Sequence, residues 1–121
     1  KQKTAYEIRN CDWSSDVCSS DLAKGGLVNL TKTLAIEWAP KIRVNSIITG
    51  YIETENSLLH YGNKSQMKKV SKTIPLRRMG TPTDIANACM FLSSDKASWI
   101  TGAALDVHGG GENPSYLNAL N

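Results

Sequence analysis

The stretch from Lys24 to Gly50, K-G-G-L-V-N-L-T-K-T-L-A-I-E-W-A-P-K-I-R-V-N-S-I-I-T-G, constrains the fold more than any other part of the chain. Leu27, Leu30 and Leu34, with Val28, Ala35 and Trp38, recur at helical spacing, while Asn29, Lys32, Thr33 and Glu37 fall on the other side. That pattern predicts an amphipathic helix with the leucine stripe as its core face, stopped by Pro40. The next apolar run, Ile42 to Ile48, is short and rich in β-branched residues, as expected of a strand covered on both faces inside a parallel sheet. Helix, tight connection, strand and glycine turn in that order imply an α/β unit.

Downstream, the residues from Glu55 to Ile74 read as two short helices broken at Gly62-Asn63. Thr81-Pro82-Thr83-Asp84 is a helix start, with threonine as N-cap, proline in the first helical position and an acid in the third. Ile85, Ala88, Cys89 and Leu92 supply that helix with an apolar face, which makes Cys89 a core residue. Ala103 to Val107 reads as a second short buried strand, closed by Gly109-Gly110-Gly111.

Composition excludes several classes of function. The net charge of +3 is small, and the aromatic residues are not interleaved with the basic ones, so nucleic acid is not an expected partner. Neither a long apolar run nor a signal-peptide pattern occurs, so no membrane partner is expected and a cytoplasmic location is the default. Cysteines 11, 18 and 89 are odd in number and lack the close paired spacing of a zinc site, so neither a disulfide framework nor a metal is expected. Charge is nonetheless uneven: Lys64, Lys68, Lys69, Lys72, Arg77 and Arg78 put six cations and no acid between positions 64 and 78. Such a flank could steer an anionic substrate; a solvated helix face is the plainer reading.

The motifs A-K-G-G-L-x-N-L-T-K-T-L-A-x-E-W-A, I-R-V-N-S-I, T-G-Y-I-E-T, P-L-R-R-M-G-T-P-T-D-I-A, F-L-S-S-D-K-A-S-W-I-T-G and L-D-V-H-G-G follow one another in this order. Together they resemble the successive C-terminal motifs of the short-chain dehydrogenase/reductase family. The resemblance covers residues 22–112 and implies the C-terminal half of a Rossmann-like doubly wound parallel sheet, which as a whole domain spans about 250 residues. Residues 113–121 form a tail whose Tyr116, Leu117 and Leu120 could pack across a subunit interface, the family being dimeric or tetrameric.

The resemblance also implies chemistry, namely hydride transfer between NAD or NADP and a small carbonyl or alcohol substrate. Lys24 matches the family's catalytic lysine, which stabilises a phenolate one helical turn earlier and holds the ribose hydroxyls of the coenzyme. At that earlier position this chain has Ser20, whose alkyl hydroxyl is far less acidic than a phenol and cannot inherit the role. Gly50 matches the close-approach turn of the coenzyme edge, although Thr49 stands where the family has proline. Thr54 matches the residue that hydrogen-bonds the nicotinamide carboxamide or the diphosphate, while Ile52 covers the nicotinamide. Thr54 could equally cap the helix that follows. Leu58, Leu59, His60, Tyr61 and Met67 fall in the substrate lid, where ordinary packing is the alternative role. His60 is expected to be a surface residue without a catalytic role, and His108 stands where the family often has aspartate. An anionic acyl thioester is one substrate that the basic flank would suit.

Residues 1–21 do not continue the family pattern. Trp13-Ser14-Ser15-Asp16-Val17 and Cys18-Ser19-Ser20-Asp21-Leu22 are two copies of one pentad that resembles translated sequencing-adapter sequence. The family's glycine-rich phosphate turn and its catalytic serine and tyrosine would all precede Lys24. A fragment with no activity of its own is therefore the competing expectation.

Overall fold

The computed structural model describes the backbone of residues 15–111 and the side chains of residues 22–111. Cys11, the side chains of Cys18 and Ser20, the first two residues of the repeated pentads and the side chains of the others before Leu22, and the tail from Glu112 lie outside what is described. In chain order come α1 (Ser15–Glu37), β1 (Ser46–Thr49), α2 (Ser57–Tyr61), α3 (Lys64–Thr73), α4 (Pro82–Ser93), a 3₁₀ turn (Asp95–Ala97) and β2 (Ala104–Val107). The two strands pair in parallel with Ser46 opposite Ala104 and Thr49 opposite Val107, so the chain is α/β with a parallel sheet. The long segment between them makes the crossover that parallel strands require.

β1 is shorter than the apolar run from Ile42 predicts, and side chains are the reason. One backbone bond joins the segments there, the Gly102 amide donating to the Val44 carbonyl at 2.7 Å, but the other links run through side chains: the Thr101 hydroxyl accepts from the Val44 amide at 3.1 Å, and the Asn45 side chain donates to the Ile100 carbonyl at 3.0 Å and accepts from the Ala103 amide at 3.0 Å. The Arg43 guanidinium donates to the carbonyls of Leu92, Ile100 and Ser94 at 2.7, 3.2 and 3.3 Å. These carbonyls close the end of α4 and the turn after it, where a cation satisfies acceptors that the helix leaves open. Nor is the strand covered on both faces, since Ile48 and Thr49 at its end are exposed.

α1 also departs from expectation. Leu27, Leu30 and Trp38 are exposed, and the buried residues are Thr31 and Ala35. The helix meets the rest of the fold at Gly102, where a Cβ would lie 3.3 Å from the Ala35 Cβ. Contact therefore falls one step round the helix from the leucine stripe. Thr31 tolerates burial because its hydroxyl donates to the Leu27 carbonyl at 2.9 Å.

The local signals are realised as read. Gly62, at φ +83°, ends α2, and the Asn63 side chain accepts from the Gln66 amide at 3.0 Å to open α3. Thr81 and Asp84 form a reciprocal capping box at the start of α4. On α4, Leu92 is buried and Ile85 and Ala88 are half-buried, but Cys89 is exposed and not a core residue. It sits at the margin of the stripe and lines an open groove with Lys41 and Arg43. The apolar centre lies instead at the end of α3, where Met67, Ile74 and Met79 cluster with Tyr61 packed against them.

Candidate functional site

Parallel α/β units expose ligand sites beyond the carboxyl ends of their strands. Here those ends open into a groove lined by Tyr51, Ile52, Gly80, Asp106 and His108 among others. Gly50, just past β1, lies against His108: a Cβ on Gly50 would meet the His108 Cβ at 2.7 Å. The space left by its missing side chain is thus taken up within the protein. His108 Nδ1 accepts from the Gly110 amide at 3.2 Å, and its Nε2 lies 3.9 Å from the Asp106 carboxylate. Among the described residues no three His, Cys, Asp or Glu side chains could hold a metal ion.

Ile52 is joined to Gly80 by a parallel bridge. Its neighbours make the hydrogen bonds: the Gly80 amide donates to the Tyr51 carbonyl at 2.9 Å, and the Glu53 amide donates to the Gly80 carbonyl at 2.8 Å. In such a bridge the amide and carbonyl of the central residue point to the opposite side. Ile52 therefore turns both backbone groups away from Gly80, while its side chain packs over that glycine, with Cδ1 2.7 Å from where a Cβ would stand.

Thr54 belongs to a second groove, which it shares with Leu58 and Met67. Its amide donates to the Ser57 hydroxyl at 2.7 Å, and its own hydroxyl lies 3.4 Å from the same atom. Asn56, not Thr54, is the N-cap residue of α2, so the capping role is not observed. Ser57, buried at 4% exposure, organises this corner and was missed in the sequence, where nothing separates it from any other serine.

The residues expected in a lid divide in two. Met67 is buried and Tyr61 half-buried in the apolar centre, whereas Leu58, Leu59 and His60 are exposed. The His60 ring stands edge-on to Tyr61 at 4.8 Å. Lys24 lines neither groove; it is exposed on the first half of α1, one turn after Ser20, and nothing lies within 4 Å of the Cβ position of either following glycine. The structure therefore gathers Thr54, Leu58 and Met67 in one groove, puts Ile52 in the other and leaves Lys24 apart from both.

Arg78 and Asp84 form a second feature that sequence reasoning missed. Arg78 Nη1 and Nη2 donate to the two oxygens of Asp84 at 2.8 and 3.0 Å, a planar fork on a planar carboxylate. Asp84 also accepts from the amide and hydroxyl of Thr81 at 2.7 and 2.8 Å. The guanidinium, then the Thr81 amide and hydroxyl, hold the Asp84 carboxyl well below the usual carboxylate range, and the same pairing raises Arg78. An arginine just ahead of a capping-box acid was the available signal.

Against known proteins, the family described as enoyl-(acyl carrier protein) reductase matches residues 15–112, so the match begins where α1 begins. Among curated relatives, the 3-oxoacyl-[acyl-carrier-protein] reductase FabG of Buchnera aphidicola is 47% identical over 89 residues, covering 73% of this chain and 36% of its own length. The chain spans about a third of the length of the curated relatives it matches. Among solved structures, a 4-hydroxyisoleucine dehydrogenase mutant complexed with NADH and succinate superimposes with a TM-score of 0.66 at 38% identity, covering 76% of this chain and 40% of that one. An NADPH-bound short-chain oxidoreductase of Pseudomonas aeruginosa, described as containing an atypical catalytic center, gives 0.66 at 35% identity, with 74% and 37% covered. With four-fifths of its length matched to the family and its fold shared with these enzymes, the chain belongs to the short-chain dehydrogenase/reductase family.

Proposed function

We propose that this chain forms one coenzyme-facing edge and the substrate lid of an NAD- or NADP-dependent oxidoreductase acting on a small carbonyl or alcohol. The observation that carries the reading is Ile52. Its amide and carbonyl are left over by the Gly80 bridge, beside a groove at the carboxyl ends of two parallel strands. A carboxamide carries one donor and one acceptor group, the complement of that pair. The residues present fit the coenzyme there, and the bound nicotinamide would supply the hydride to a carbonyl when reduced or accept it from an alcohol when oxidised.

Around it, Ile52 would hold the carboxamide and cover the ring with its side chain, and the Thr54 hydroxyl would reach the carboxamide or diphosphate. The Thr54 amide is engaged by Ser57, which leaves the hydroxyl as that residue's contact. Gly50 would act indirectly, by letting His108 close the end of β1. Lys24 would hold the ribose and stabilise a phenolate at the position of Ser20. A serine there cannot perform the proton transfer, so catalysis by this chain requires a phenol at that position or one supplied by another segment. Leu58 and Met67 line the lid groove with Lys64 and Lys68, which favours a substrate with an apolar body and an anionic group, such as an acyl thioester. Within this reading, residues 22–112 are the partial domain, the protein is cytoplasmic, and it assembles as a dimer or tetramer.

The test is a chimera in which residues 15–112 replace the matching segment of the Buchnera reductase. The expected result is NADH or NADPH binding with little turnover, a gain of about 10² to 10⁴ in rate on Ser20→Tyr, and loss of that gain on adding Lys24→Ala. Absence of coenzyme binding, or full turnover without the Lys24 ammonium, would overturn the assignment.

A further inference from the structure

We infer that Arg78 is a positioning residue for the coenzyme edge, acting through Asp84 and the two peptide groups that flank Gly80. The inference rests on the reading of residues 51–54 as that edge. Gly80 is joined to its neighbours by two planar peptide units, and each unit is held at both ends. In the first, the Met79 carbonyl accepts from Arg78 Nη1 at 3.0 Å while the Gly80 amide donates to the Tyr51 carbonyl at 2.9 Å. In the second, the Thr81 amide donates to Asp84 at 2.7 Å while the Gly80 carbonyl accepts from the Glu53 amide at 2.8 Å.

One guanidinium–carboxylate fork thus fixes the outer ends of both units, and residues 51–53 hang from the inner ends. Because a peptide unit is rigid, turning its outer end turns the inner one. Ile52 lies between the two inner bonds, with its side chain over Gly80. The angle of the fork therefore sets the direction in which Ile52 presents its amide and carbonyl. Asp84 is at the same time the capping acid of α4, a helix that packs against both strands. The fork consequently references the edge to the sheet, and not to the lid alone.

An exposed ion pair contributes little to global stability, so the role is geometric. Its signature is local opening at Gly80 and Glu53 with the strands undisturbed. Amide exchange on the chain itself reads this without coenzyme. Arg78→Met is expected to speed exchange of the Gly80 and Glu53 amides by about tenfold, with the Ser46 and Gly50 amides, which bond Ala103 and Val107, changed by less than about twofold.

Asp84→Asn, which keeps an oxygen for Thr81, is expected to match Arg78→Met, and the double variant to exceed neither, because both remove one unit. Unchanged exchange at Gly80 and Glu53, or equal acceleration at Ser46 and Gly50, overturns the inference, and so does outright unfolding of both variants. In the chimera made active by Ser20→Tyr, Arg78→Met is expected to raise the coenzyme KM about fivefold or more while the substrate KM stays within about twofold, with partial recovery in Arg78→Lys. An unchanged coenzyme KM overturns the positioning role. A chimera that binds no coenzyme overturns the functional reading instead, and leaves the exchange result to decide whether the fork holds the 51–53 segment.

Discussion

Ile74 is the residue on which α3, part of the proposed lid, is seated, and Ile74→Ala is the substitution that should loosen it. The side chain is 2% exposed, in a cluster with Met67 and Met79. It also meets the glycine loop after β2, where a Cβ on Gly109 would lie 2.9 Å from the Ile74 Cγ2. One side chain therefore fills the space between α3, the approach to α4 and the exit of the sheet. The change to alanine removes three carbons, worth about 2.4 kcal/mol at roughly 0.8 kcal/mol each. Lid and loop are also joined through the backbone, the Leu76 amide donating to the Gly109 carbonyl at 3.2 Å, so collapse into the void is restricted and a cavity term brings the expected cost to about 3 to 4 kcal/mol. Ile74→Val removes one methyl and should cost about 1 kcal/mol. Urea denaturation followed by far-UV circular dichroism measures both, with the midpoint falling and the slope unchanged. A cost below about 1 kcal/mol for the alanine variant, or equal costs for the two, would show that Ile74 does not key the lid to the sheet.

Two further outcomes follow from the polar contacts. Arg43→Met should cost about 2 kcal/mol by the same assay, because three carbonyls, two at the end of α4 and that of Ile100 beyond the 3₁₀ turn, lose a charged donor, and Arg43→Lys should recover less than half of it; a neutral Arg43→Met would refute the account. Asp84 has a folded pKa depressed below its unfolded value, so its stabilisation is complete above the unfolded value of about 3.9 and is lost as pH falls through the lower folded value. The gap between wild type and Asp84→Asn should therefore stay constant from about pH 7 to 5 and close only at stronger acidity, and a gap that closes above about pH 5 would show that the carboxylate is not held by Arg78 and Thr81.

The parts of the fold that were legible in the sequence are those whose causes are local. Thr81 and Asp84 cap each other across three residues, and Gly62 and Asn63 end one helix and begin the next with their own backbone and side chain. Such elements need no distant partner, so spacing alone reveals them. The leucine stripe of α1 was a poor guide to the core, Leu27 and Leu30 being exposed and Leu34 only half-buried, because periodicity reports which face is apolar and not what lies opposite it. What lies opposite is the turn at Gly102, and it meets Ala35. Cys89 was misplaced for the same reason. The early end of the ladder at Ser46 has a nonlocal cause as well, since beyond it the Asn45 and Thr101 side chains take partners across more than fifty residues of sequence and leave one backbone bond, from the Gly102 amide to the Val44 carbonyl.

The site shows the same division most clearly in its charges. Counting residues gives six cations from Lys64 to Arg78, which suggests a strong field for an anionic substrate. Geometry divides that count. Arg78 is neutralised by Asp84, and Arg77 turns its Nη1 to the Lys72 carbonyl at 2.7 Å, at the end of α3. Of the four lysines, Lys64 and Lys68 line the groove that holds Thr54, Leu58 and Met67, and among the described residues neither lies within ion-pair distance of a carboxylate. Glu53 and Glu55 line the same groove and oppose their field. Screening confines what remains to about 8 to 10 Å at physiological ionic strength. Under the proposed function the lysines therefore favour an anion already in this groove, by direct contact, over one steered from a distance. On that same reading, a substrate bearing its charge several ångströms from the carbonyl would gain from this arrangement, whereas one whose only charge adjoins the carbonyl would place it in the groove of Ile52, which neither lysine lines.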